Sequence, residues 1–186
     1  MSTDWFEGQG RTDAERRFLT VLRDRAQSWH QLDIAPDDTQ AWTDRADLYV
    51  HVDVADRDQH RIIGTLRVDL DGERVTGHWG AADFCDTIDP SAPDSFGTPA
   101  LGTPEEAAHR AASWLEEQLR RPIERREWRQ GEGITRCVWV LADTDQTLCG
   151  AGQGLPFSAA DGRWWRGAPA PTGTLHVTVL RPPRQP

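Results

Sequence analysis

The sequence predicts an α+β fold, with one antiparallel sheet of six or seven strands and two amphipathic helices in the order α-βββ-α-βββ(β). Three observations predict it. Two helix-capping signatures precede apolar residues at helical spacing, residues 48–80 alternate apolar and polar side chains, and further strand-like runs follow the second helix. Runs of adjacent strands separated by helices favour an antiparallel sheet over a doubly wound α/β fold.

The first helix is predicted to begin after Thr12, which can form a capping box with Glu15. Residues 1–11 before it are expected to be a flexible end, although their two aromatic residues could anchor them. A polar linker is predicted at residues 33–44. The apolar face of the helix consists of Ala14, Phe18, Val21, Leu22, Ala26 and Trp29.

Residues 48–80 are predicted to form three antiparallel strands, with one apolar face in the core and one polar, solvent-exposed face. The dipeptide Asp71-Gly72 is typical of the tight turn between two such strands. A long connector follows at residues 83–102, and structureless loops of this length are usually functional or disordered.

Strand pairing around these turns predicts where the histidines of the polar face lie. The Asp71-Gly72 turn would place His78 opposite Thr65, and a short link near residue 58 would place Thr65 opposite His51. The two histidine backbones would then lie roughly 9–10 Å apart, two strands from each other. This spacing is wide for two ligands of one metal ion, so no metal site is predicted.

The second helix is predicted between Thr103, which can form a capping box with Glu106, and Pro122. Its small residues favour close packing on a sheet, whereas Glu116 is expected to lie in water. The apolar stripe consists of Ala107, Ala108, Ala111, Ala112, Trp114, Leu115 and Leu119.

The strands after this helix are interpreted from their charge and apolar pattern. Residues 123–129 carry many charges, as an edge strand does, whereas residues 134–142 are apolar on both faces and favour a central strand. A second long loop is predicted from Gly150 to Gly173, before a last alternating strand at residues 174–179.

Length and charge restrict the classes of function. The 186 residues suit a single domain, 1–186, with flexible ends at 1–11 and 181–186, although two small halves are an alternative. The net charge of −9 argues against a nucleic-acid partner. The absence of a long apolar run and of a signal-peptide pattern predicts a cytoplasmic protein without a membrane partner.

The sequence contains no lysine and no asparagine, which favours a GC-rich bacterial genome as the source. Schiff-base lysines, phosphate-loop lysines and Cys-His-Asn triads are therefore excluded within this chain. The three cysteines, Cys85, Cys137 and Cys149, lack paired spacing and are interpreted as buried thiols. No catalytic residue, metal ligand or cofactor is predicted.

Two functional hypotheses remain open. The first is a non-catalytic, immunity-like or chaperone-like module that binds another protein through the 150–173 loop, with a homodimer along a strand edge as an open alternative. Its predicted contact residues are the aromatic and arginine side chains Phe157, Arg163, Trp164, Trp165 and Arg166. The second is a small enzyme or a small-molecule-binding protein, whose pocket for an anionic ligand is formed by Tyr49, His51, Arg67 and His78.

Overall fold

The fold is α+β, with two helices and two antiparallel sheets. A computed structural model describes residues 4–44, 47–72, 74–80, 95–99, 102–152 and 171–182. The helices are α1 (Asp13–Ala26) and α2 (Pro104–Leu119), and the strands are β1 (Thr39–Asp44), β2 (Asp47–Asp56), β3 (Arg61–Asp71), β4 (Arg74–Gly80), β5 (Phe96–Pro99), β6 (Ile123–Gln130), β7 (Gly133–Leu141), β8 (Gln146–Gly152) and β9 (Thr174–Arg181). One sheet has the order β1-β2-β3-β4-β5 and the other β8-β7-β6-β9.

The prediction of an α+β fold with antiparallel pairing is confirmed, but the prediction of one six- or seven-stranded sheet is wrong. Within the described ranges nine strands form two sheets, and the order is α-βββββ-α-ββββ. Two strands lie in segments predicted as a linker and a connector. β1 was missed because its sequence is mostly polar, and β5 because it is only four residues long.

The chain divides into two compact units. The first comprises Met1–Val54, Thr65–Gly80 and Thr87–Leu119, and the second comprises Ala55–Gly64, Ala81–Asp86 and Arg120–Pro186. The hairpin of β2 and β3 therefore contributes its tip to the second unit and its remaining residues to the first.

The predicted capping boxes of both helices are confirmed. The Thr12 side chain accepts a hydrogen bond from the Glu15 backbone, and Glu15 caps the backbone in return. In α2 the Thr103 backbone donates to Glu106 Oε2 over 2.9 Å, and the Glu106 backbone donates to Thr103 Oγ1. These bonds satisfy backbone N–H groups that the first helical turn leaves without partners.

Helix α2 packs against α1 and against β4 within the first unit. Trp79 Nε1 of β4 donates to Gln118 Oε1 over 2.9 Å. The prediction that Glu116 lies in water is wrong, because this side chain is buried between the helices. It accepts hydrogen bonds from Arg25 Nε at 3.0 Å and Nη2 at 2.7 Å, and from Trp29 Nε1 at 3.3 Å.

Replacing Glu116 by Ala should destabilise the protein by about 2–4 kcal/mol. The change leaves the buried Trp29 N–H without this acceptor and Arg25 without its carboxylate. The measurement is the urea midpoint of unfolding. The matched control is Glu117→Ala on the exposed side of the same helix, which should shift the midpoint little. Equal shifts in the two variants would contradict the role of Glu116.

In the second unit, β6 is an internal strand between β7 and β9, so its prediction as an edge strand is wrong. The position of β7 between two strands is as predicted. The charges of β6 are tolerated because each arginine is paired with a carboxylate. The pairs are Arg125 with Asp56 and Glu127, Arg126 with Glu124 and Asp145, and Arg129 with Glu127. The loop predicted from Gly150 also begins later, because β8 continues to Gly152.

The buried side chain of Asp56 connects the hairpin tip to β6 and β7. It accepts hydrogen bonds from Arg125 Nη1 and from Trp139 Nε1, both over 2.8 Å. Burial by itself would raise the pKa of the Asp56 carboxyl, but the hydrogen bonds from Trp139 and Arg125 outweigh burial and lower it. The carboxylate is therefore charged at neutral pH and balances the guanidinium.

Replacing Asp56 by Ala should destabilise the protein by about 3–5 kcal/mol, because it removes one of the two carboxylates that balance the buried Arg125 and the acceptor of the buried Trp139 N–H. Asp58→Ala provides the control, since Asp58 is an exposed aspartate two residues away. Thermal unfolding of both variants measures the effect. A melting temperature of Asp56→Ala equal to that of the control would show that the ion pair contributes nothing.

The thiols of Cys137 and Cys149 are buried and free, as the sequence predicts. Burial raises the pKa of Cys137 to about 12 and that of Cys149 to about 11. Both groups are therefore protonated at neutral pH and are poor nucleophiles. Cys85 lies outside the described residues.

Candidate functional site

The structure describes the residues of one of the two predicted sites and not those of the other. The predicted partner-binding residues Phe157, Arg163, Trp164, Trp165 and Arg166 all lie outside the described residues. The four residues of the alternative pocket lie on the described strands β2, β3 and β4 of the first sheet. Strand alternation places them on the face opposite the apolar core.

The predicted register between β3 and β4 is wrong by two residues. Asp71 pairs with Arg74, so the chain reverses after Gly72, whose φ of +50° suits glycine. As a result His78 pairs with Arg67, whereas Thr65 pairs with Gly80.

The expectation of a solvated polar face is also wrong. His51 is only 3% exposed, and His78 is 5% exposed. The indole of Trp42 on β1 lies edge-on to the His51 ring, with 4.1 Å between ring centroids. Both imidazoles therefore lie in the interior, where their nitrogens need hydrogen-bond partners, whereas Tyr49 and Arg67 on the same face are half-buried.

Arg67 is held in a fixed orientation by its two neighbours. Its guanidinium carbon lies 4.5 Å from the centroid of the Tyr49 ring, and its Nε donates to Asp69 Oδ1 over 2.6 Å. The Tyr49 ring stacks in turn on Trp42 at 5.9 Å, and its hydroxyl donates to Asp47. A stacked and ion-paired arginine keeps its fork of donors in one plane.

Burial and the positive charge of Arg67 keep both histidines neutral. Burial is the larger cause, and together the two lower the pKa of His51 to about 3 and that of His78 to about 4. At neutral pH the two imidazoles therefore donate and accept hydrogen bonds without carrying charge.

The carboxylates near this face are already engaged. Asp53 accepts a hydrogen bond from Thr65 Oγ1 over 2.7 Å, and Asp69 accepts from Arg67. Across the part of the chain that the structure describes, no group of three or more histidine, cysteine, aspartate or glutamate side chains could hold a metal ion. Arg67 and the two imidazoles are therefore the groups of this face to consider for a ligand.

A second surface, which the sequence did not single out, lies on β9 of the other sheet. Leu175, Val177 and Val179 are 48%, 50% and 55% exposed, and they project from the same face of the strand. We call them the β9 ridge. In the sheet order β9 has one neighbour, β6, so its other side is an edge of this described sheet. The lack of proline and of charge at residues 174–180 was the available signal.

No family model, curated protein or solved structure matches this chain. Among the described residues, neither helix is long and apolar enough to cross a membrane.

Acidification should destabilise the protein from about pH 6.5 downward. The pKa of an unfolded histidine is about 6.5, whereas burial lowers the pKa of His51 to about 3 and that of His78 to about 4 in the folded protein. Between these values the unfolded state binds more protons, so stability falls as pH falls. The limiting slope is about 1.4 kcal/mol per pH unit for each histidine.

Urea unfolding between pH 7.5 and pH 5 measures this slope. The variant His51→Gln/His78→Gln should lose most of it, because glutamine does not titrate. Burial raises the pKa of Asp53 and Asp69, which increases the stability of the folded state as the pH falls further. Both aspartates are present in the wild type and in the double variant, so they do not affect the comparison. An unchanged slope in the double variant would contradict the buried, neutral state of the imidazoles.

Proposed function

We propose that this chain is a non-catalytic, acidic protein-interaction module that binds an extended segment of a basic partner protein along β9. The observation that carries the proposal is the exposure of the β9 ridge on an edge strand. An exposed edge offers unpaired backbone groups for strand addition, and an apolar ridge offers specific side-chain contacts.

The edge formed by β9 is long and regular, and no other strand that the structure describes pairs with it. Its register with β6 runs without interruption from Thr174 to Val179 and shifts only near Arg181. Natural proteins usually protect such edges with charges, prolines or central bulges, because unprotected edges associate with other strands. The centre of β9 has none of these features, which supports a partner that covers it.

The charge of the partner is inferred from the charge around the ridge. Val177 pairs with Arg126 and Val179 with Glu124 on β6. Arg126 is shared between the carboxylates of Glu124 and Asp145, so this cluster of one arginine and two carboxylates has a formal net charge of −1. The whole chain carries −9, which favours association with a positively charged protein and opposes self-association.

The 150–173 loop remains part of this proposal as a sequence-based expectation. Its tandem Trp164-Trp165 precedes β9 along the chain, and tryptophan and arginine are the residue types that contribute most to interface energies. These residues would extend the contact that β9 begins. An immunity-like or chaperone-like role, in which an acidic protein covers a basic partner, is consistent with this composition.

Replacing Val177 and Val179 by Lys should abolish strand addition while the fold persists. The two side chains are about half exposed, and lysine is one of the residues that protect natural edges. The assay is panning of a displayed library of random 12-residue peptides on the wild-type protein. Enriched peptides should alternate β-branched residues with arginine or lysine, and the variant should bind them at least about tenfold more weakly.

The matched control is Ile62→Lys/Ile134→Lys, which adds the same two charges at exposed apolar positions outside β9. It should retain the peptides. Equal weakening by the control, or enrichment of peptides without alternation, would contradict binding along β9. A concentration-dependent dimer in analytical ultracentrifugation, dissociated only by the β9 variant, would instead identify a second copy as the occupant.

A further inference from the structure

The row of polar residues across the first sheet contains a buried atom that the fold does not satisfy. His78 is 5% exposed, and its Nδ1 has no hydrogen-bond partner among the described residues. Leaving a buried polar atom without a partner costs about 1–3 kcal/mol. A bound ligand that supplies the missing hydrogen-bond partner would remove this cost.

Arg67, which pairs with His78 across the strands, is only partly used by the fold. Asp69 engages its Nε, and the Tyr49 ring covers one face of the guanidinium. Within the described part of the chain, no hydrogen bond engages its Nη1 or Nη2. The two terminal nitrogens of the planar guanidinium are therefore available to donate hydrogen bonds. Their spacing matches the two oxygens of a carboxylate or phosphate group.

The surroundings favour an anion over a cation. The Asp53 and Asp69 carboxylates already accept hydrogen bonds from Thr65 and Arg67. Burial of His78 and, to a smaller extent, the positive charge of Arg67 oppose a second positive charge here, and together they lower the pKa of His78 to about 4. An anion beside Arg67 would relieve this opposition and would give the buried imidazole a partner.

We propose that Arg67 and His78, with His51 beside them, form a binding site for the oxyanion group of a small ligand, either a carboxylate or a phosphate. Arg67 binds two oxygens through Nη1 and Nη2, and the neutral His78 imidazole donates its Nδ1 proton to the same group. Tyr49 and Asp69 position the guanidinium. The site is independent of the β9 surface, since its residues belong to the other sheet and the other unit.

Thermal unfolding in phosphate and in acetate, each compared with chloride at equal ionic strength, tests this site. A ligand that binds only the folded state raises the melting temperature with increasing concentration. The wild type should show a saturable rise in at least one of the two salts. The stronger of the two identifies the ligand as a phosphate or a carboxylate.

Three variants separate a built site from general ion effects. Arg67→Gln should abolish the rise, and His78→Gln should reduce it. The matched control Arg74→Gln removes one positive charge from an exposed position on β4 and should keep the full rise. Equal stabilisation of wild type and Arg67→Gln would overturn the proposal, because it would show non-specific ion binding.

A measurement on the unaltered protein keeps the test independent of how the variants fold. In ¹⁵N-labelled protein, the His78 ring nitrogens should shift along a saturable curve as phosphate or acetate is added. The concentration dependence should match that of the melting temperature. Absence of a saturable shift in both salts would overturn the proposal.

Discussion

The buried carboxylate of Asp56 is the interaction on which the second unit depends. Together with Glu127 it lets Arg125 lie in an internal strand, because a buried guanidinium is tolerated only beside a compensating charge. The same oxygen accepts the indole N–H of Trp139 from the adjacent strand. One side chain at the hairpin tip thus accepts hydrogen bonds from donors on two neighbouring strands. This pairing explains how the charge-rich strand β6 can lie inside a sheet.

The arginines of β6 and Arg67 of the first sheet differ in how fully carboxylates pair with them. This difference is the reason why a different kind of ligand is proposed for each sheet. In the second sheet the arginines of β6 are paired with carboxylates, so the apolar edge strand is the feature that a partner would meet. In the first sheet Arg67 has one carboxylate partner, Asp69, through a single hydrogen bond, and its neighbour across the strands is the neutral imidazole of His78. Protein contact is therefore inferred for one sheet and anion binding for the other.

Local patterns in the sequence predicted local structure well. The capping residues Thr12 and Thr103 and the alternation of residues 48–80 require only neighbouring residues, so both helices and the shared face of Tyr49, His51, Arg67 and His78 followed from them. The order of strands in a sheet depends on distant pairings, so the internal position of β6 could not be read from its charges. Alternation separates two faces but does not reveal what covers the polar one, so the burial of His51 and His78 was missed.

The hairpin of β2 and β3 has a consequence for how this protein can be divided. Its tip, Ala55–Gly64, is inserted between two segments of the first unit, so no single cut of the chain releases two intact pieces. A fragment ending at Leu119 would keep Asp56 yet lose Arg125 and Trp139, and would carry an acidic group whose partners had been removed with the rest of the chain. Splitting the gene between the units would therefore separate Asp56 from its partners. We expect both units to be encoded by a single gene.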